Sequence, residues 1–275
     1  MQFRRRARVT VGPPGGIGTV VDDRFRVAFT VRKDDTQDAN RAEVSIYGLN
    51  QDTRKRLLST DNVLTIEAGY EGALEVLAVG NVSAYRVESN NPEVITILEA
   101  GDGLRTLRDA RVSLSFDEGV SFQTVLDAIT DQMDVGFRDT GTQLVGLYRN
   151  GFSFTGKARE ALDKVTARAG VNWSIQNDEL QLVTRGAVAI RRAVRLTPQT
   201  GLIGSPQALD DLDFVGEDGD NTGYRVRSQL QPKIEPGGLI DIDSRDVSGQ
   251  WRVKNVQHSG DTRASEWITT AEVVA

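Results

Sequence analysis

The clearest pattern in the chain is the alternation of apolar and polar residues between residues 224 and 274. It forms short runs at residues 224–230, 239–243, 251–256 and 267–273, separated by turns rich in Gly, Pro and Asp. Alternation of period two between such turns predicts an antiparallel meander. The residues expected to face its interior are Val226, Ile240, Ile242, Val253 and Ile268.

The first hundred residues repeat this kind of pattern. Strands are predicted at residues 7–11, 25–31, 42–47, 63–70, 74–79, 82–88 and 94–99, and a short helix at 51–59 with Asn50 as its N-cap. About seven strands in this length is the spacing of a barrel or a sandwich. The predicted interior consists of Val27, Phe29, Val44, Ile46, Leu64 and Ile66.

The middle third changes to a helical period. Ser121 is a predicted cap of a helix ending at Met133, and Thr155 of a second helix ending before Gly170. A hairpin turned at residues 177–178 follows, and strands resume from Val188. The predicted domains are therefore residues 1–103, a small α+β domain at 104–187, and residues 188–275.

Composition limits the possible chemistry. The 275 residues include no cysteine and one histidine, His258, which excludes disulfides and thiolate-bound metals. The net charge of -6 argues against a protein that binds nucleic acid by neutralising phosphates. No apolar run reaches the roughly 20 residues of a membrane span, and no signal-peptide core follows residues 1–6. We therefore expect synthesis in the cytoplasm.

Several groups of residues could carry chemistry, and each has a simpler interpretation. His258 stands beside Ser259 and Asp261, but working triads are assembled from distant segments, so a turn-facing histidine is favoured. The glycine-rich residues 12–18 lack the Gly-Lys-Ser/Thr ending of a phosphate loop. Two carboxylate pairs, Glu67 with Glu71 and Asp241 with Asp243, have no identifiable catalytic geometry. The acidic residues of 210–220 lack the register of a calcium-binding loop: Asp210, Asp211, Asp213, Glu217, Asp218 and Asp220.

Two further groups are interpreted structurally. The basic cluster Arg4, Arg5, Arg6 and Arg8 could be a nucleic-acid arm, but its alternation with apolar residues suits an edge strand with its charges facing solvent or a partner. The tryptophans stand at apolar strand positions, where core packing is favoured over ligand binding: Trp173, Trp251 and Trp267. The sequence thus predicts no catalytic, cofactor-binding or metal-binding residue and no enzyme activity.

Turn and strand motifs along most of the chain resemble those of bacteriophage baseplate hub proteins. In the N-terminal part they include Asn-Arg-Ala-Glu-Val-Ser-Ile-Tyr-Gly-Leu at residues 40–49, and in the C-terminal part Thr-Gly-Leu-Ile-Gly-Ser-Pro at 200–206. Further matching segments are residues 29–31, 53–54, 66–72, 80–82, 230–237, 256–261 and Trp267. None of these motifs is a catalytic signature.

The resemblance implies a mainly β fold, with two tail-tube-like β-barrel domains flanking a small α+β insertion. It also implies a homotrimer whose six barrels form a pseudo-six-fold ring in the virion tail. Such a ring would join the tail tube or its initiator to a trimeric spike, contact other baseplate proteins, and surround a channel through which DNA leaves without sequence-specific binding. A tail-tip module that binds a host glycan or surface protein is the alternative, and a cell-wall hydrolase is a third hypothesis.

Overall fold

The structure is a computed structural model that describes residues 4–90, 92–102, 109–133, 135–138, 140–184, 190–209 and 223–275. The acidic residues 210–220 and both predicted domain boundaries lie outside the described residues, as does the start of the strand expected from Val188. The described residues form three helices, α1 Gln51–Leu57, α2 Phe122–Met133 and α3 Ala158–Ala169.

The strands of the described residues are assigned in chain order. They are β1 Arg5–Gly12, β2 Thr19–Val21, β3 Val27–Asp34, β4 Arg41–Tyr47, β5 Val63–Tyr70, β6 Ala73–Asn90, β7 Glu93–Gly101, β8 Arg111–Phe116, β9 Val120–Ser121, β10 Gly136–Arg138, β11 Leu147–Tyr148, β12 Phe152–Lys157, β13 Val171–Gln176, β14 Glu179–Thr184, β15 Ile190–Leu196, β16 Gln207–Ala208, β17 Gly223–Gln229, β18 Gly238–Asp243, β19 Ser248–Asp261 and β20 Trp267–Val274. We refer to β1–β7 as the N-terminal β half, to β15–β20 as the C-terminal β half, and to the described residues 109–184 as the insertion.

One thirteen-stranded sheet runs through both β halves in the order β16-β17-β20-β19-β3-β4-β7-β6-β5-β1-β2, with β18 and β15 branching from β19. The halves meet where β19 pairs with β3, from Asn255 opposite Asp34 to Asp261 opposite Ala28. We call this ladder the β3/β19 seam. The sheet folds back on itself, because residues of β1 and β5 share one buried cluster with residues of β3, β4 and β7.

The N-terminal β half confirms the predicted interior. Val27, Phe29, Val44, Ile46, Leu64 and Ile66 are all buried in one cluster. Asn50 caps α1 by accepting a hydrogen bond from the backbone N–H of Thr53 at 2.8 Å. The two strands predicted at 74–79 and 82–88 are one strand, β6, with a register irregularity between Val82 and Ala84.

The C-terminal β half departs from the predicted meander. β18, β19 and β20 pair in sequence, but β17 pairs with β20 rather than β18, and β15 adds to β18 in parallel. β19 continues through the predicted break at residues 259–263 as far as Asp261, because β3 and β20 both pair with it there. Ile268 is only half-buried, since Trp267, Thr269 and Ala271 take the buried face of β20.

The insertion follows its sequence pattern, with one correction. Ser121 Oγ accepts the N–H of Thr124 at 2.9 Å, and α2 buries the predicted stripe. Thr155 does not cap α3: it lies inside β12, which stays paired with β8 as far as Lys157. Gly170 ends α3 at φ 68°, and the hairpin turns at Asn177 and Asp178, with φ of 55° and 63°.

The fold is therefore mainly β, as predicted, and the insertion combines two helices with strands β8–β14. Buried side chains form three clusters, one in each β half and one in the insertion. Within the described residues no strand pair closes either β half into a ring, because the sheet ends at β2 on one side and at β16 on the other. The division into two barrels and the exact domain boundaries stay predictions.

Candidate functional site: a buried polar junction and an open sheet edge

The sequence favoured a turn-facing position for His258, and this prediction is wrong. His258 lies within β19 at 1% exposure, and its Nδ1 is 2.9 Å from the hydroxyl of Thr269. Since the N–H of Gln231 donates to the same hydroxyl oxygen at 2.9 Å, the hydroxyl hydrogen is free to point at Nδ1. Asp261 is bound by the guanidinium of Arg26 at 2.8 Å. The pair Arg26–Asp261 links the two β halves and the contact His258–Thr269 joins β19 to β20, so these side chains do not form a triad.

The arginines of the basic cluster are engaged with acidic groups and carbonyls. Arg6 bonds Glu71 at 3.1 Å and Arg8 lies 3.6 Å from Glu67, which occupies both carboxylates of the first candidate pair. Arg5 donates to the carbonyls of Ala264 and Ser265. The cluster therefore ties β1 to neighbouring segments instead of forming a free cationic arm.

The tryptophans behave largely as predicted. Trp173 and Trp267 are buried core residues, and Trp251 is half-buried against the C-terminal cluster. The residues 12–18 form a turn whose apolar tip, Ile17, is exposed. Asp243 of the second carboxylate pair bonds Arg195 at 3.1 Å across the surface.

A buried polar junction forms where the insertion meets both β halves. Lys33 of β3 lies at its centre and is only 3% exposed, because it continues the inward-facing row of Val27, Phe29 and Val31. A lysine is unusual at such a buried position. Its Nζ donates to Asn177 Oδ1 at 2.9 Å and lies 3.6 Å from Glu235 Oε1. One ammonium thereby links the N-terminal half, the insertion hairpin and the loop before β18.

Asp102 and Asn40 form the second layer of the junction. Asp102 Oδ2 accepts the backbone N–H of Asn177 at 2.8 Å and the amide of Asn40 at 3.0 Å. The Asn40 amide also reaches the carbonyl of Ile175 at 3.0 Å and Gln176 Oε1 at 2.9 Å. Gln176 in turn donates to the carbonyl of Asp34 at 2.8 Å, so buried amides satisfy one another across the boundary.

Arg138 of β10 completes the junction on the side of the C-terminal half. Its guanidinium bonds Glu235 Oε2 at 2.8 Å and Glu179 Oε2 at 3.0 Å. The Asn177 amide donates to the other oxygen of Glu235 at 3.2 Å. Glu235 therefore receives two cations and an amide, all from other segments of the chain.

Burial shifts the pKa values of Lys33, Asp102 and the neighbouring His258. Desolvation lowers the pKa of Lys33, against the attraction of Glu235 and Asp102. It raises the pKa of Asp102 to about 6, an effect that Lys33 and Asn40 reduce. It also lowers the pKa of His258 to about 3, with the nearby charge of Lys33 acting in the same direction. Each shift opposes the charged form, as expected inside a protein.

The second feature is an open edge of the sheet on β6. β5 pairs with Ala73–Asn81 of this strand and β7 with Asn81–Asn90, so residues 83–89 have a strand neighbour on one side only within the described chain. Every residue of 83–89 is exposed, including Tyr85 at 46% and Val87 at 43%. We call this segment the β6 edge. It lacks the proline and lysine that usually block an unpaired edge.

The face of the sheet turned away from the core is polar beside this edge. Arg86 on β6 contacts three carboxylates, those of Glu43, Glu88 and Glu99. A groove of about 1500 Å³ follows this face and reaches the start of α3. Its charged lining residues are Arg32, Arg41, Lys157 and Arg159, opposed by Asp34, Asp38, Glu43, Asp61 and Glu99.

The buried polar junction was not predicted from the sequence, although the sequence contains one sign of it. Lys33 stands at the next inward position of an apolar row, where a charge needs a buried partner. The partner residues carry no such signal, because Asn40, Asp102 and Asn177 all follow or precede strands in segments that read as loops or turns.

The described part of the chain has no group of three potential metal ligands arranged around one point. No helix in the described residues is long and apolar enough to cross a membrane.

Comparison with solved structures finds similar folds among phage tail proteins. A 43 kDa tail protein of prophage MuSo2 from Shewanella oneidensis matches with a TM-score of 0.68 over 98% of both chains, at 9% identity. A tail protein from Neisseria meningitidis MC58 matches with a TM-score of 0.65 over 98% of this chain and 96% of that one, at 10% identity. At such identities the likeness concerns the fold alone.

A third similar structure is the E. coli c3393 protein, described as a type VI secretion component that resembles the T4 phage tail proteins gp27 and gp5. It matches with a TM-score of 0.59 at 10% identity, over 90% of this chain and 73% of that one. The family model of the baseplate hub gp41 proteins matches residues 6–273. The chain belongs to the baseplate hub gp41 family, a family of phage tail structural proteins. No functionally curated protein matches it.

Proposed function

We propose that this protein is the structural hub of a phage baseplate and acts as a homotrimer. Three chains form a pseudo-six-fold ring that connects the tail tube above to a trimeric spike below. In this proposal the β halves, residues 1–103 and 188–275, are the tube-like barrel domains, and residues 104–187 are the insertion domain. The protein has no enzymatic role in this assembly.

The observation that carries the proposal is the sheet that continues through both β halves. Its strands follow one another from β6 through β7, β4, β3, β19, β20 and β17 to β16. At one end of this run the β6 edge is open, and at the other end β17 pairs, within the described residues, with β20 and with the short segment 201–209, whose Ile203 N–H donates to the Arg227 carbonyl at 2.8 Å. Identical subunits with two different sheet ends can join head to tail, and such contacts close into a ring when the rotation between neighbouring subunits permits closure, as we propose here.

The number three follows from the two β halves of each chain. Each half supplies a similar number of strands to this run, and the β3/β19 seam joins the halves within one chain. Three chains therefore supply six comparable units, which matches a six-fold tube while retaining the three-fold symmetry of a spike.

The polar outer face suits the lining of a channel through which DNA passes. A free cation on this face would hold phosphates. Arg86 is already surrounded by Glu43, Glu88 and Glu99, and the cations that line the groove are opposed by a similar number of carboxylates. We infer that this face turns toward the channel of the ring and that DNA passes it without being retained.

The test compares two lysine substitutions at similarly exposed valines. Val87→Lys adds a charge to the β6 edge, and Val20→Lys adds the same charge to β2, an end strand of the sheet that the proposed contacts do not use. The two valines are 43% and 52% exposed. We expect native mass spectrometry to show trimers for the wild type and Val20→Lys and monomers for Val87→Lys, all with unchanged circular dichroism. A wild type that stays monomeric under assembly conditions, or a ring of six whole chains in a particle map, would refute the proposal.

A further inference from the structure

The insertion and the C-terminal β half are attached to the rest of the molecule in different ways. The buried cluster of the insertion contains only residues of the insertion. Its strands β8–β14 pair only with one another within the described chain. By contrast, the C-terminal half shares a backbone ladder with β3 and contributes Leu230 and Trp267 to the N-terminal cluster.

The contacts that hold the insertion are concentrated in the buried polar junction. Beyond the bonds of Lys33, Asn40, Asp102 and Glu235, the junction includes Gln181, whose amide donates to the Pro236 carbonyl at 3.5 Å. Outside it, Arg159 lies 3.5 Å from Asp38 in an exposed pair. The hairpin β13–β14 is therefore the principal attachment, and its attachment consists of hydrogen bonds and ion pairs.

We propose that the buried polar junction is a latch, and that the insertion swings away from the β halves as a folded unit when the latch opens. The proposal concerns a single chain and holds whether or not three chains form a ring. Closed, the junction keeps the insertion in one orientation; open, it leaves the insertion joined through its two chain connections.

The energetic argument rests on what each attachment loses when it separates. Opening the junction exchanges its hydrogen bonds for bonds to water, so the net contribution of each bond is far smaller than its strength inside the protein. The buried charges of Lys33 and Glu235 regain their hydration, which offsets much of their mutual attraction. Opening the seam would instead expose the side chains of Phe29 and Trp267, whose rings lie 5.4 Å apart. The insertion is therefore the part that can be released while the remainder stays folded.

The test uses distances between spin labels, which the absence of cysteine makes straightforward. One pair, Lys55→Cys with Asp131→Cys, joins exposed sites on α1 and α2 and reports the position of the insertion. A reference pair, Lys55→Cys with Gln250→Cys, joins exposed sites on the two β halves. Labelled chains are diluted with unlabelled ones so that only distances within a chain contribute.

Glu235→Gln breaks the latch by removing the charge between Lys33 and Arg138. Glu272→Gln is the matched control, because Glu235 and Glu272 are 16% and 17% exposed and each pairs with an arginine, but Glu272 lies on β20, outside the junction. We expect a roughly twofold broader distribution for the insertion pair in Glu235→Gln, and narrow distributions for the reference pair and for the control variant.

A second variant guards against a failure of Glu235→Gln to fold. Gln176→Met keeps the volume of the side chain and removes its bonds to Asn40 and to the Asp34 carbonyl. Narrow insertion distances in both variants would overturn the proposal, since the junction would not then determine the position of the insertion. Broadening of both label pairs would also overturn it, because the junction would then hold the whole fold.

Discussion

The β3/β19 seam and the buried polar junction both join segments that are distant in the chain, but they do so with opposite chemistry. The seam combines seven paired residues of β3 and β19 with a T-shaped contact between Phe29 and Trp267. The junction combines Lys33, Asp102 and Glu235 with amide side chains, and none of the buried apolar clusters of the described residues extends across it. Yet Lys33 belongs to the same strand as Phe29, only four positions along the chain.

This difference indicates which parts of the hub form one body. Apolar burial is lost in full when the seam separates, so the two β halves should unfold together. Buried polar contacts specify geometry more than they add stability, so the junction should determine the orientation of the insertion at small net gain. Specific substitutions at each attachment can test this contrast.

The largest expected effect is at the seam. Phe29→Ala removes a ring that is 4% exposed and leaves a cavity against Trp267, so the free energy of unfolding should fall by about 3–5 kcal/mol. Urea unfolding followed by tryptophan fluorescence and by circular dichroism would measure it. We expect one transition for both halves, since Trp267 of the C-terminal half belongs to the N-terminal cluster.

The control for Phe29 is Phe137, which is 44% exposed on β10. Phe137→Ala should change the free energy of unfolding by less than about 1 kcal/mol, because little apolar surface is lost from the interior. If Phe29→Ala had no larger effect than Phe137→Ala, the seam would not be the apolar attachment described above.

An intermediate effect is expected at His258, which lies where the seam approaches the junction. Its pKa is lowered from 6.5 to about 3, so the folded protein keeps it neutral while the unfolded chain takes up a proton. The resulting stability is present above pH 6.5 and is lost as the pH falls toward 3. Between pH 7 and pH 4 the free energy of unfolding of His258→Gln should therefore fall by about 3 kcal/mol less than that of the wild type. Urea unfolding at both pH values would measure the difference.

Asp102 changes the free energy of unfolding in the opposite direction to His258 as the pH falls from 6 toward 3.8, and its substitution gives a second test. Its pKa is raised from 3.8 to about 6, so its burial disfavours folding above pH 6 and this penalty disappears as the pH falls toward 3.8. Asp102→Asn should consequently make the protein more sensitive to acid than the wild type. Equal acid sensitivity of the wild type and both variants would contradict the burial of charge at the seam and junction.

The sequence predicted the features of the fold that follow from a regular spacing of apolar residues. The inward rows of β3, β4 and β5 and the apolar stripe of α2 were identified correctly, because alternation and helical spacing report directly on burial. The turn at Asn177 and Asp178 was predicted as well, since both residues tolerate a positive φ. The family resemblance supplied what these patterns could not, the membership in the hub family.

What the sequence could not predict depends on pairing between distant segments. Periodicity does not reveal that β19 continues past Ser259, because the reason is the presence of β3 on one side and β20 on the other. It does not reveal that Thr155 remains in a strand, because β8 holds it there. The junction is harder still, since its members come from five separate segments and only Lys33 breaks a local pattern.

The smallest expected effect is at the rim of the insertion and distinguishes the junction from ordinary surface contact. Arg159 and Asp38 lie 3.5 Å apart with side chains that are 39% and 83% exposed. Water screens such a pair, so Arg159→Ala should change the free energy of unfolding by less than about 1 kcal/mol and leave hydrogen exchange of the β13–β14 hairpin unchanged. Gln176→Met, which alters only buried contacts of the same boundary, should accelerate exchange in that hairpin. Faster exchange in Arg159→Ala than in Gln176→Met would mean that the rim, and not the buried polar junction, holds the insertion in place.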